Sequence, residues 1–176
     1  MSDSNFEHCL EFVLGAEGGF SNNKFDNGGP TNYGITAGEL ESFRRRFPHL
    51  NMPLDVRKLD SGLARTIYHT DYWAPSGGIW ATPGLDLVLF NAGVMSGPSR
   101  AIRLLQQALH IKVDGQAGPF TQDQVKMGNR RQIALNTNAQ HLAYMKTLPD
   151  WPHFGHGWAN RNTRVASEAV RMAAAL

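Results

Sequence analysis

The chain has 176 residues, of which 41% are hydrophobic and 18% charged. This composition excludes a disordered protein and suits one domain, or one domain with a small appendage. The single cysteine, Cys9, excludes a disulfide framework and a thiolate metal cluster. No run approaches the roughly 18 apolar residues that span a bilayer, and the N-terminus lacks the basic and apolar regions of a signal peptide. We therefore expect no stable membrane insertion.

The charge is unevenly distributed along the chain. Residues 1–100 carry 8 Lys and Arg against 11 Asp and Glu, whereas residues 101–176 carry 9 against 4. The basic second half favours an anionic polymer or surface as partner, although an ordinary solvated face would have the same composition. Clustered Lys and Arg interleaved with aromatic residues, the pattern of nucleic-acid-binding proteins, are not found. We therefore expect no nucleic-acid partner.

The first predicted element is an amphipathic helix. Apolar residues recur at helical spacing over residues 6–14, after Ser4 as a fair N-cap, and glycines end the helix so that Glu17 lies at its C-terminal edge. An irregular segment follows over residues 18–36. Its turn residues indicate a short hairpin that turns at Gly28-Gly29.

The rest of the chain is predicted to be mainly α. The Gly/Pro-rich segment 74–84 is typical of an internal linker, and a Gly/Pro loop is predicted around His153 and His156. These two histidines lack a third ligand in reach, so we expect no metal site. Further helices are predicted over residues 37–46, 61–73, 85–95 (buried and central), 99–109, 121–127, 130–146 and 162–175.

Two carboxylates, Glu17 at the edge of the irregular segment and Asp26 within it, could perform general acid/base chemistry. Glycoside hydrolysis needs a protonated acid for the leaving oxygen and an ionised carboxylate across the cleft. The partial negative charge of a helix C-terminus favours a protonated Glu17. Asp26, in a polar Asn/Gly loop, would stay ionised and act on water with help from the Thr31 hydroxyl. Ordinary capping and turn residues would give the same pattern.

The run AEGGFSNNKFDNGGPTNYGIT (residues 16–36) resembles the signature of glycoside hydrolase family 108, the phage and bacterial N-acetylmuramidases. The resemblance continues through Ile67-Tyr68, Tyr72-Trp73 and Phe90-Asn91-Ala92-Gly93 to Gly157-Trp158-x-x-Arg161. It implies a lysozyme-like helical fold with a small hairpin after helix 1, and Glu17 as the catalytic acid. The Glu17, Asp26 and Thr31 set also resembles that of phage-type lysozymes, although the Asp-to-Thr separation is one residue shorter here.

Four further residues are candidates for contact with the substrate. Tyr33 lies in the motif segment, and Tyr72 and Trp73 offer flat apolar rings that can stack on sugars or pack in a core. Asn91 lies in an apolar helix, where a buried amide needs partners. It would brace the cleft or tie helices together.

A second motif, Asp114-Gly115-Gln116-Ala117-Gly118-Pro119-Phe120-Thr121, resembles the turn of peptidoglycan-binding modules. It predicts paired turns, with Thr121 as the N-cap of the next helix. Such turns are often only scaffold. We assign residues 1–95 to a catalytic region and 96–176 to a peptidoglycan-binding-like region packed with it. In this interpretation Asp114, Gly115, Gly118 and Pro119 are binding candidates.

Together these features predict a monomeric N-acetylmuramidase, of the endolysin type, that needs no cofactor and acts on peptidoglycan. It would be made in the bacterial (host) cytoplasm and would reach the wall through a holin-like pore or a secretion device. A lytic transglycosylase that uses Glu17 alone, and a non-catalytic peptidoglycan-binding module, are the alternatives.

Overall fold

The computed structural model describes residues 5–17 and 31–174, and these residues are mainly helical. The predicted mainly α fold with a small hairpin after the first helix is confirmed. The elements in chain order are α1 (Phe6–Glu17), β1 (Thr31–Asn32), β2 (Ile35–Thr36), α2 (Ala37–Arg46), α3 (Ser61–Tyr68), α4 (Leu85–Ser96), α5 (Pro98–Ala108), α6 (Pro119–Met127), α7 (Arg130–Met145) and α8 (Trp151–Ala174).

The chain divides into two compact units, and the division falls within α1. The larger unit comprises Met1–Cys9 and Asp71–Leu176, and the smaller comprises Leu10–Thr70. The predicted boundary between residues 95 and 96 is of another kind, because it separates a catalytic region from a peptidoglycan-binding-like region. It stays a prediction.

In the smaller unit, β1 and β2 form a two-stranded antiparallel hairpin. Thr31 pairs with Thr36, and Asn32 pairs with Ile35. The turn residues Tyr33 and Gly34 both have positive φ, at 54° and 74°, as a two-residue type I′ turn requires. The turn at Gly28-Gly29 that the sequence predicted lies outside the described residues.

Helix α2 begins where its local sequence predicts. The Thr36 side chain accepts a hydrogen bond from the Glu39 backbone N–H, and the Glu39 carboxylate accepts one from the Thr36 N–H. This capping box satisfies two donors that the first turn otherwise leaves unpaired. Leu40 and Phe43 form the buried face of the helix. The predicted bounds of 37–46 are confirmed.

The core of the larger unit is built around α4. Every residue from Leu85 to Gly93 is buried, as expected for a helix that is apolar on all sides. Phe6, Trp73 and Phe90 form an aromatic cluster with ring centroids 5.3–6.0 Å apart. Helices α5, α7 and α8 pack around α4.

Segment 74–84 is not a linker, so that prediction was wrong. The segment lies wholly within the larger unit, and Ser76, Gly77 and Gly78 are buried. The Gly78 N–H donates to the Trp73 carbonyl, and a Cβ on Gly78 would lie 2.2 Å from the Trp73 ring. Glycine is therefore needed here for close packing.

Helix α8 begins at Trp151, eleven residues before the predicted start, and includes the segment predicted as a loop around His153 and His156. Pro152 is the second residue of the helix, where a missing N–H leaves no hydrogen bond unmade. Gly155 is buried, and a Cβ there would lie 2.6 Å from the Trp151 ring. The proline and the glycine thus serve helix initiation and packing.

Candidate functional site

The candidate acid lies at the end of the first helix. Glu17 is the last residue of α1, in the turn where unpaired carbonyls concentrate partial negative charge. Its side chain and the whole of Asp26 lie outside the described residues. Thr31 opens β1 and is half-buried. The structure therefore places Glu17 and Thr31 at the two ends of the undescribed segment, and the three catalytic roles stay predictions.

The hairpin that carries Thr31 and Tyr33 is held by neighbouring elements of the smaller unit. The Asn32 amide donates to the carbonyls of Val56 and Leu59, at 3.2 and 3.0 Å. The Tyr68 hydroxyl donates to the Tyr33 carbonyl at 2.8 Å. A tyrosine with positive φ is uncommon, so this hydrogen bond stabilises an unfavourable backbone conformation. The Tyr33 backbone is thereby held at the turn, and the residue is half-buried.

The adjacent aromatic candidates Tyr72 and Trp73 have different environments. Both lie in a π-helical turn, His69–Trp73, that extends α3. Tyr72 is half-buried, whereas Trp73 is 0% exposed and packs between Phe6 and Phe90. A ring with no exposed surface cannot stack on a sugar. Trp73 is therefore a core residue rather than a substrate contact.

Asn91 ties two helices of the larger unit together. It is buried in α4, and its Oδ1 accepts a hydrogen bond from the Arg161 Nε of α8 at 2.7 Å. Its amide nitrogen lies 3.8 Å from the Met95 sulfur. Asn91 and Arg161 belong to separate motifs of the sequence, and only the structure pairs them. This geometry matches the interpretation of Asn91 as a tie between helices.

A buried histidine next to this pair was not singled out in the sequence. His141 on α7 is fully buried, and its Nε2 lies 3.0 Å from the Ser96 hydroxyl. Within the described part of the chain its Nδ1 has no hydrogen-bond partner. Burial and then the Arg161 charge lower the pKa of His141 to about 4. His141 is therefore neutral at pH 7. The sequence does not indicate this, because the pKa shift depends on burial by residues that are distant along the chain.

The second motif is a compact, internally bonded loop. The buried Gln106 side chain accepts hydrogen bonds from the N–H groups of Asp114 and Gly115, at 3.0 and 2.8 Å. Its Nε2 donates to the Asp114 carboxylate at 2.8 Å. This hydrogen bond and that from the Gln116 N–H hold the pKa of Asp114 below its usual value. These contacts are typical of scaffold, and the binding role stays a prediction.

The end of this motif differs from prediction. Gly118 is the N-cap of α6 and the exposed Pro119 is its first residue. Thr121 is buried inside the helix, so its prediction as N-cap was wrong. A proline fits the first helical position because no N–H is needed there.

Residues 5–17 and 31–174 contain neither a candidate metal cluster nor a membrane-spanning helix. No group of three or more His, Cys, Asp or Glu side chains among them could hold a metal ion. No helix in the same ranges is long and apolar enough to cross a bilayer. His153 and His156 lie on α8 with exposed side chains.

Comparison with known proteins identifies the family. The family model described as glycosyl hydrolase 108 matches residues 10–97, which include Glu17, Thr31 and Asn91. No curated protein sequence matches the chain. The solved structure "Structure of Brucella abortus SagA" is similar over 99% of this chain and 100% of that chain, with 30% sequence identity and a TM-score of 0.87. These findings agree with the predicted lysozyme-like fold. The chain belongs to the glycosyl hydrolase 108 family and is a glycosyl hydrolase.

Proposed function

We propose that this glycosyl hydrolase is an N-acetylmuramidase, which cleaves the β-1,4 bond between N-acetylmuramic acid and N-acetylglucosamine in peptidoglycan. The observation that carries the proposal is the family match over residues 10–97, which spans the segment whose residues resemble the muramidase signature. The position of Glu17 at the end of α1 supports its role as the acid.

In the proposed mechanism Glu17 protonates the leaving glycosidic oxygen. The helix C-terminus disfavours a carboxylate, which helps Glu17 to hold its proton until the bond breaks. Asp26 positions and deprotonates the attacking water, and the Thr31 hydroxyl helps to hold that water. We expect the carboxyl groups of Glu17 and Asp26 to be roughly 6.5–9.5 Å apart, which leaves room for the water and gives inversion.

Of the proposed substrate contacts, the half-buried rings of Tyr33 and Tyr72 retain some surface for a sugar. Asn91 would act through Arg161, since its own amide is buried. In the second half of the chain the turn around Asp114, Gly115, Gly118 and Pro119 would present peptidoglycan-binding residues.

In its biological context the protein would lyse the cell wall as a monomer of the endolysin type. It would be made in the bacterial (host) cytoplasm and pass through a holin-like pore or a secretion device to act on the wall. The basic second half, with 9 Lys and Arg against 4 Asp and Glu, suits a polymer rich in carboxylates and phosphates.

The test is digestion of purified peptidoglycan sacculi, followed by measurement of new reducing ends. Glu17→Gln is expected to lower the rate by at least about 100-fold, because it removes the general acid. Glu11→Gln, an exposed glutamate on the same helix, is the matched control and should keep wild-type activity. Equal activity of the wild type and Glu17→Gln would refute the assignment.

The two alternatives give different products. A lytic transglycosylase releases an anhydro-sugar, which is one water lighter by mass spectrometry, and Asp26→Asn would leave its activity nearly intact. Hydrolysis should lose most of its rate in Asp26→Asn. A non-catalytic binding module would sediment with sacculi but release no reducing ends.

A further inference from the structure

The smaller unit contains a surface pocket that no predicted role includes. It lies where α2 is followed by a short 3₁₀ helix, Pro48–Leu50, and its volume is about 290 Å³. Ligand pockets usually measure about 300–1,000 Å³, so this one suits only a small ligand. We call it the Arg44 pocket, and its lining residues are Arg44, Phe47, Pro48, Asn51 and Met52.

The three consecutive arginines at the end of α2 have different environments. Arg45 forms an ion pair with Glu41, and its hydrogen bond is the main cause of the lowered pKa of that carboxyl group, whereas the Arg44 charge has the smallest effect. Arg46 lies over the Phe47 ring, with its guanidinium carbon 5.3 Å from the ring centroid. Arg44 is half-buried, and among the described residues it forms no hydrogen bond or ion pair.

The charge of Arg44 indicates that the pocket takes an acid group. A cation that is partly withdrawn from water loses hydration, and a paired anion restores that loss. The partial negative charge at the end of a helix compensates for it only in part. A guanidinium binds a carboxylate through two parallel hydrogen bonds. A ligand with one carboxylate therefore matches the single charge that lines this pocket.

The other lining residues favour a peptide over an inorganic anion. Phe47, Pro48 and Met52 provide apolar surface, with which a bare ion makes no favourable contact. Asn51 is exposed and has a φ of 48°, a left-handed conformation that asparagine tolerates. Among the described residues its amide makes no hydrogen bond. An amide side chain both donates and accepts, as the N–H and C=O of a peptide group require.

The volume limits the ligand to a short peptide. At roughly 30 Å³ for each water-sized group, the pocket holds about ten such groups, which is close to the size of a dipeptide. The peptide stems of peptidoglycan contain small alanine side chains and end in a carboxylate. We propose that the Arg44 pocket binds the carboxylate end of a peptide stem, with the acid on Arg44 and a peptide group on Asn51. The proposal rests on the proposed function for the source of the peptide.

The experiment titrates the isotope-labelled protein with acetyl-D-alanyl-D-alanine and derives the Kd from amide chemical shifts in NMR spectra. Arg44→Gln should weaken binding at least about tenfold, as for loss of a hydrogen bond to a charged group, and so should replacing the carboxylate of the dipeptide by an amide. Asn51→Gly keeps the left-handed backbone and should weaken binding about threefold. Arg45→Gln is the matched control, because Arg45 is the exposed neighbour and does not line the pocket. It should bind as the wild type does.

Failure of the wild type to bind the dipeptide would overturn the proposal, as would an equal Kd for the acid and the amide, or for the wild type and Arg44→Gln. Tighter binding of inorganic phosphate than of the dipeptide would also overturn it. If Arg44→Gln does not fold, Asn51→Gly and the comparison of acid with amide on the wild type still decide the result. The dipeptide has no glycosidic bond, so its binding is independent of hydrolysis. Failure of the Arg44 pocket is therefore distinguishable from failure of the proposed function, which is read from reducing ends.

Discussion

Acidification from pH 7 to pH 5 is expected to destabilise the fold through His141. The pKa of this buried side chain is lowered from 6.5 to about 4 in the folded chain. Between these two values the unfolded chain binds a proton that the folded chain does not, so the free energy of unfolding falls as the pH falls. The loss begins near pH 6.5 and is complete below about pH 4.

The magnitude follows from the same two values. At 1.36 kcal/mol for each pKa unit, linkage gives a loss of about 2 kcal/mol between pH 7 and pH 5, and about 3 kcal/mol once the histidine is fully protonated. Two carboxylates also contribute to the pH dependence. The pKa of Glu168 is lowered to about 2, so its loss follows below about pH 4.5 with the same sign. Burial raises the pKa of Asp86, which has the opposite sign.

The assay is urea denaturation at pH 7 and pH 5, with the wild type compared to His141→Gln. Glutamine retains a group that can bond the Ser96 hydroxyl but does not titrate. The variant should lack the loss of about 2 kcal/mol that the wild type shows. His153→Gln removes an exposed histidine and is the control for loss of a histidine as such. Identical pH dependence of the wild type and His141→Gln, or an NMR titration midpoint of His141 near 6.5, would refute the reasoning.

Three further predictions concern stability, each measured as a change in the free energy of unfolding. Gln106→Ala leaves the part-buried N–H groups of Asp114 and Gly115 without their acceptor and should cost about 1–3 kcal/mol. Gln107→Ala, at an exposed neighbour, should cost little, and equal costs would contradict a role of the Gln106 side chain in holding this loop. Gly93→Ala places a Cβ 2.0 Å from the Ser76 hydroxyl and should cost about 1–3 kcal/mol. Gly157→Ala meets nothing and should be neutral or stabilising, so the same cost at both glycines would argue against a packing origin. Glu168→Gln weakens the contacts with His8 and Arg171 and should cost about 1 kcal/mol at pH 7. The cost should decrease as the pH falls from 4.5 through the folded-state pKa of about 2, and a cost that does not change with pH would exclude the carboxylate charge as its cause.

Local signals in the sequence predicted the features that depend on neighbouring residues. The bounds of α2 follow from the Thr36 and Glu39 capping box, because both partners lie within one turn of each other. The burial of α4 follows from its apolar composition. The motif around Glu17 indicated the family, which the comparison confirmed, since a long, specific motif is readable without tertiary structure.

Features that depend on distant contacts were not predictable in this way. The glycines and proline of segments 74–84 and 151–157 indicate turns by local rules, but Trp73 packs on Gly78 and Trp151 on Gly155. A sequence pattern shows where the glycines and the aromatic residues are, but it does not show which aromatic ring packs against which glycine. For this reason the sequence left open whether Trp73 packs in the core or contacts a sugar, and the extension of α8 was missed.

The sequence by itself determined the helical character of the chain, most helix bounds, the hairpin after α1 and the family. The tertiary structure decided the partners of its buried polar groups. The Asn91 amide meets Arg161 across 70 positions of sequence, and Ser96 meets His141 across 45. Most buried polar groups in a folded protein have a hydrogen-bond partner, and helix packing decides which one, because it brings together residues that are far apart in the sequence.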